Sequence, residues 1–336
     1  MPCLWERQKN LVYVLFSVNL YIFTQKLTNT LTKMNIFKSK TMNNMLLLST
    51  IAMLFCACNK EKITTKEKDY GKKLPCVYFS KHFSVSQDKK VFFSKGNLQY
   101  NATTDTWRFA EQQYDIIGKD NENVSSTYNG WIDLFGWGTS GWDSGAEAFK
   151  PYSTDTCNFH YNPGGSEQRD FDLTGEFAQC DWGMYNKISN GGNQQNMWRT
   201  LTCDEWVYLL LKRAHSSELY SAGKVGGMNG VILLPDEWEP IASIPFVSDT
   251  CAWDVNDYTF AQWAEMEANG AVFLPAAGER TYKSVNLSTW NEGIYWSSTA
   301  STEERAWQLH FYGLGMVIWD YPRSIGISVR LVQNAE

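Results

Sequence analysis

The chain has 336 residues and a formal net charge of −6, with aromatic residues at 15% and 15 Trp among them. Charge is unevenly spread: residues 1–57 carry +5 and residues 58–74 carry +3, which leaves about −14 on residues 75–336. An acidic domain of that kind argues against nucleic acid as a partner, because neutralising phosphates dominates such affinities.

The first 57 residues differ in texture from the rest. Met1 to Lys33 show no helical or strand periodicity, and the apolar run from Leu11 to Phe23 is too short to cross a bilayer. Met34 opens a better signal peptide. Lys38 and Lys40 give a positive start, and Met45 to Phe55 give an apolar stretch of suitable length. Translation would then begin at Met34 or Met42, or the upstream stretch is a long leader. Phe55-Cys56-Ala57-Cys58 places a small residue before Cys58, as a lipoprotein signal peptidase requires, whereas bulky Phe55 precedes Cys56. The expectation is acylation of Cys58 and a lipid anchor in the outer membrane with the domain exposed at the surface. The competing reading is an ordinary secretory signal. The expected organisation is a leader and signal peptide over 1–57, a Lys-rich tether over 58–74 and one domain over 75–336.

Within the domain the cysteines are Cys76, Cys157, Cys180, Cys203 and Cys251, without a C-x-x-C pair, which makes zinc improbable. An exported protein can form disulfides, but the spacing assigns no pairing. Val77–Phe79, Val91–Phe93, Leu98–Tyr100 and a run starting at Trp107 read as short strands. Gly118 to Gly192 is rich in Gly, Asn, Ser and aromatics, with Gly130-Trp131, Gly136-Trp137 and Gly141-Trp142 recurring. These rings would either stack on sugars or, the favoured reading, pin long loops onto a core.

Thr202-x-x-Glu205 and Thr259-x-x-Gln262 are capping patterns that start helices over 202–213 and 259–269. Trp206, Val207 and Leu209–Leu211 would fill the first, and Gly270 stops the second. Val231–Pro235 and Val272–Pro275 flank them as strands. Toward the end, 294–299, 305–312 and 325–332 alternate as strands expected to form one antiparallel sheet. Trp307 shares parity with Leu309 and Phe311, which suggests burial. This order of elements is α+β, not an alternating βαβ pattern.

Trp198-Arg199-Thr200-Leu201-Thr202-x-x-Glu205-Trp206, Leu233–Trp238, Phe273–Gly278, Tyr295–Thr299 and Gly326-x-Ser328-Val329-Arg330 occur in this order. Together they resemble the C-type-lectin-like domains of Bacteroidetes lipoproteins, of the Fibrobacter major paralogous domain type. They are also similar to the variable ligand-displaying proteins of diversity-generating retroelements. The first motif resembles one in formylglycine-generating enzymes, which need a pair of C-terminal thiolates for copper; here no cysteine follows Cys251. The resemblance implies a C-type-lectin-like fold over roughly Val77 to Val332 without that oxidase chemistry.

Other chemistry is sparse. No G-x-S-x-G, P-loop or H-E-x-x-H occurs. Asp115, Asp133 and Asp143 are the acids available in the Trp-rich region for an alternative as an envelope glycoside hydrolase. Asp120–Asn123 and Asp254–Asp257 offer oxygens for calcium but lack the glycine placement of an EF-hand. No catalytic residue, metal site or cofactor is assigned.

The resemblance points to the stretch that relatives diversify, between Tyr295–Thr299 and Gly326–Arg330. Arg305, Gln308, His310, Tyr312, Trp319, Asp320 and Tyr321 are the expected contacts to a glycan or cell-surface protein. Trp319 to Tyr321 would lie on a turn before Pro322. Rings give rigid contact area there, and charged and amide groups give adaptable hydrogen bonds. Arg323 and Arg330 are expected to pin loops through backbone carbonyls. A third reading is a structural subunit of a surface appendage, recognisable by an unpaired sheet edge.

Overall fold

Residues 81–146, 150–153, 158–163, 171–287, 292–313 and 315–335 are described by a computed structural model. Cys58, the tether, the run at Val77–Phe79, Cys76 and Cys157 lie outside them.

The two ends of the domain meet in one sheet. Strand β1 (Phe83–Ser84) pairs with β2 (Lys90–Phe93), and β2 pairs with the C-terminal β15 (Leu331–Asn334). A short β5 (Arg199–Thr200) completes the order β1-β2-β15-β5. Between these come the hairpin of β3 (Leu98–Asn101) and β4 (Thr106–Phe109), and a sheet of order β8-β6-β7-β9. Its members are β6 (Tyr220–Val225), β7 (Met228–Leu233), β8 (Asp257–Tyr258) and β9 (Val272–Pro275). The pairings are antiparallel except that β6 and β8 run parallel. A small hairpin, β10 (Glu279–Thr281) with β11 (Ser284–Asn286), precedes a ribbon of three eight-residue strands. These are β12 (Gly293–Ala300), β13 (Arg305–Tyr312) and β14 (Gly315–Pro322). The architecture is α+β with mostly antiparallel sheets and few helices.

Helices form where the caps predict them. In α2 (Cys203–Val207), which follows the short α1 (Trp182–Tyr185), Thr202 and Glu205 complete the reciprocal capping box; Thr259 and Gln262 do the same for α3 (Phe260–Ala268). The expected helix over 202–213 does not continue as α. Tyr208–Lys212 forms a π turn, in which the Arg213 N–H donates to the Tyr208 carbonyl at 2.8 Å. Leu209 and Leu210 are buried but Leu211 is exposed. Successive helical residues rotate by about 100°, so three adjacent leucines cannot all face one core.

Strand β12 shows how the core is divided. Ile294 and Trp296 point into an aromatic cluster with Trp107, Phe135, Trp137 and Trp182. Tyr295, between them, points into a second cluster with Phe83, Phe93, Trp206 and Leu274. That is the period of two of a pleated strand with both faces covered. Burying each such ring stabilises by roughly 1.5–3 kcal/mol.

The expected third strand of the C-terminal sheet is corrected. Residues 325–332 do not pair with β13; the partner is β14, in register Arg305 to Pro322 through Tyr312 to Gly315. Ile327 and Ser328 make isolated bridges to Phe135 and Tyr295, and only the chain from Leu331 enters a sheet. The missed signal is Gly313-Leu314-Gly315, two glycines between β-prone runs, which marks a hairpin turn.

Of the three rings in the Gly-Trp segment, Trp137 is framework, whereas Trp131 and Trp142 are only partly buried. Trp137 is fully buried, donates from its indole nitrogen to the Ser297 carbonyl at 2.8 Å, and lies 4.4 Å below the Arg323 guanidinium. A Cβ at Gly136 would come within 2.2 Å of the Tyr161 ring, so that close approach requires glycine. Arg323 donates to the carbonyls of Arg305 and Thr302, as expected of a loop pin. Arg330 instead donates to the side-chain oxygens of Asn97 and Gln113.

Candidate ligand-binding face

In an antiparallel ribbon, directly paired residues share a face. Gln308, His310 and Tyr312 therefore share one face with Trp319 and Tyr321, whereas Arg305 and Asp320 project from the other. The expected single patch is divided by the pleat.

Arg305 and Asp320 are committed to each other. Arg305 Nε lies 3.1 Å from Asp320 Oδ1, and the other carboxylate oxygen accepts from the Ser301 hydroxyl at 2.7 Å. This pair clamps β13 to β14 and to the turn after β12 while staying partly exposed. Gln308 is removed from the expected contacts, because it is fully buried opposite Trp296. Its partner across β14, Trp319, is by contrast 56% exposed. Gln308 sits on the central strand of the ribbon and Trp319 on its edge strand, which explains that difference. Trp319 to Tyr321 belong to β14 and not to a turn. Trp307, expected to be buried, is half-exposed, because at this end of β13 the opposite face, with Ala306 and Gln308, is the one packed inward.

On the Trp319 side of the ribbon, Trp319 has His310 and Tyr321 as neighbours, and Tyr312 lies further along at the hairpin end. His310 Nε2 lies 2.8 Å from Glu292 Oε2, and the His310 and Tyr312 rings sit 5.3 Å apart. The Tyr321 hydroxyl donates to Glu279 Oε2. Burial, with the Glu279 carboxylate accepting that bond, pushes the Tyr321 phenol well above its ordinary range, so it stays a donor at any physiological pH. Glu279 comes from the β10 hairpin and Glu292 from the approach to β12, so elements distant in sequence converge on the ribbon. Sequence reading missed both acids, since only the tertiary fold brings them to β13 and β14. At the hairpin tip, Tyr312 borders a hollow of about 200 Å³ that Tyr220, Asp249 and Trp253 also line.

A family model described as a domain of unknown function, DUF8237, matches residues 241–332. No curated protein and no solved structure matches the chain. The matched span contains α3 and every strand from β9 to β14, so the ribbon, Glu279 and Glu292 all lie inside the similarity.

Most of the other candidates for chemistry are engaged in holding the fold. Asp133 is fully buried, accepting from the Ile117 N–H at 2.9 Å and from the Asn121 amide at 2.7 Å. Burial raises its carboxyl to about 6, but no substrate reaches it. Asp115 accepts from the Gln112 N–H, and Asp143 is exposed. Of the two oxygen-rich loops, Asn121 and Asn256 point inward to pin backbone, and Asp254 pairs with Lys224. Among the described residues no group of three or more His, Cys, Asp or Glu is placed to hold a metal ion. Cys180, Cys203 and Cys251 are free thiols.

Proposed function

We propose that this chain is a surface-anchored, non-catalytic binding lipoprotein of C-type-lectin-like type, and that the Trp319 side of the β13–β14 ribbon takes a glycan. The observation that carries the reading is the exposed Trp319 ring, set among hydroxyl, imidazole and carboxylate groups whose positions are fixed by hydrogen bonds. A flat ring suits the apolar face of a sugar, and the fixed polar groups suit its hydroxyls. Positioning before binding lowers the ordering cost of association. Acylation at Cys58 and an outer-membrane location complete the proposal. The anchor is tested by Cys58→Ala, which should abolish acyl labelling while Cys56→Ala does not.

The binding test is a glycan array probed with the purified protein and with Trp319→Ala. Retention of wild-type sugar binding by the variant overturns the assigned face. A second reading, a subunit of a surface assembly, is favoured by one observation: β14 pairs with β13 alone among the described strands, leaving an eight-residue edge on which a partner strand could add. Capture of a surface protein with no array signal would favour that reading.

A further inference from the structure

A cleft of about 770 Å³ opens on another part of the molecule and shares no residue with the ribbon. One wall is apolar, formed by Trp238, Ile241, Ile244 and Phe246. The other is polar and depends on the π turn. That turn brings Tyr208 and Arg213 together on the cleft, joined by the Arg213 N–H to Tyr208 carbonyl bond. Single π turns inside helices often occur at functional sites.

Arg213 is 3% exposed, and its donors are unevenly used. Nη1 meets Asp236 Oδ1 at 3.1 Å and Nη2 donates to the Leu219 carbonyl at 3.2 Å. Its Nε is buried with no partner. Such a donor is costly to leave unmade, and an acceptor brought by a ligand would satisfy it.

Charge then selects the ligand class. Lys90 and Arg213 are offset by Asp236 and Glu218, all four lining the cleft, and His215 sits 3.5 Å from Glu218. Asp236 is already saturated, accepting from the Ser84 hydroxyl at 2.6 Å and the Ser84 N–H at 3.2 Å and lying 3.8 Å from Lys90. The lining is balanced in charge, with no excess positive charge, and it adds the Tyr208 and Ser248 hydroxyls and the Trp238 indole N–H as further donors. We infer that this cleft is a second binding site, for a small uncharged molecule with an apolar body and hydrogen-bond-accepting oxygen.

Nile red, an uncharged dye with a carbonyl oxygen, is a direct probe of that chemistry. Titrated into the full chain, it should bind saturably at one site with a blue-shifted emission. Ala214→Trp, which fills the cleft from its exposed rim, should weaken binding by about tenfold or more, the worth of one excluded apolar contact. Arg213→Met should weaken it similarly; where that variant does not unfold cooperatively, Phe246→Ser tests the opposite wall. The anionic dye 1-anilinonaphthalene-8-sulfonate should compete poorly. Three results overturn the inference: no saturable Nile red binding, unchanged binding in Ala214→Trp, or tighter competitive binding of the anionic dye. The Trp319→Ala variant should bind Nile red as the wild type does, so failure here is separable from failure of the ribbon.

Discussion

Two regions of this molecule carry Trp at prominent positions, yet Trp137 and Trp319 are used in opposite ways. In the Gly-Trp segment, Trp137 is 0% exposed and held by an indole hydrogen bond and an overlying guanidinium. On the edge strand β14, Trp319 is 56% exposed. The difference comes from position in the fold and not from residue type. Glycine beside Trp137 lets another chain segment approach closely, so the ring becomes part of a wall. An edge strand leaves its outer side chains facing water. Aromatic content alone therefore marks neither core nor site, and the comparison can be broken by measuring what each ring contributes.

The largest expected loss is Trp137→Ala. It removes a fully buried ring and leaves the Ser297 carbonyl without its indole donor, and should cost about 3–5 kcal/mol in denaturant unfolding. A loss near zero would mean that the segment is loosely attached, and would return its rings to the list of sugar contacts.

Next comes Asp133, which anchors the same segment from below. Asp133→Ala leaves the Ile117 N–H and one of the two Asn121 amide N–H groups without an acceptor and should cost about 1–3 kcal/mol. Its charge also gives a pH signature. The folded carboxyl holds its proton up to about 6, above its ordinary value of 3.8. The native state thus binds more protons than the unfolded chain in that interval, and this group's contribution to stability falls as pH rises through it, then stays constant. Asp133→Asn should flatten that slope between about pH 4 and 6, as read from urea midpoints. An unchanged slope would show that Asp133 titrates normally and that the segment admits water.

A smaller effect is expected at the cap of α2. Thr202→Ala removes one half of the capping box and should cost about 1 kcal/mol. This helix start was legible in the sequence, as was that of α3, because a cap is a local device written within four residues. The strands from Lys90 to Phe109 and the pairing partners β7 and β9 were legible for a similar reason, in their runs of β-prone residues. The π turn was not, since no local pattern separates it from a continuing helix. Nor was the division of the site residues. Alternation along 305–312 already places Arg305 and His310 on opposite faces, but the split between Asp320 and its neighbours Trp319 and Tyr321 shows only once Gly315–Pro322 is seen as a second strand. Glu279 and Glu292 reach the ribbon through tertiary packing, which no spacing in the sequence encodes.

The smallest effect on stability should come from Trp319→Ala, and it decides the comparison. An exposed substitution usually shifts stability by less than about 0.5 kcal/mol, so its unfolding midpoint should match the wild type. Affinity should respond differently. A ring central to a binding face is worth about 2 kcal/mol or more when truncated, so the array signal should collapse in a protein that is otherwise intact. Tyr321→Phe separates the ring from its polar neighbours. It deletes the hydroxyl that donates to Glu279 while keeping the aromatic body against the core, and should weaken sugar binding without reproducing the full loss. A large drop in the melting temperature of Trp319→Ala would mean that the edge of β14 is covered in the native protein, as the assembly reading requires. Equal stability with equal binding would take the ligand away from the ribbon altogether, to the hollow lined by Tyr220, Asp249 and Trp253 at the hairpin tip.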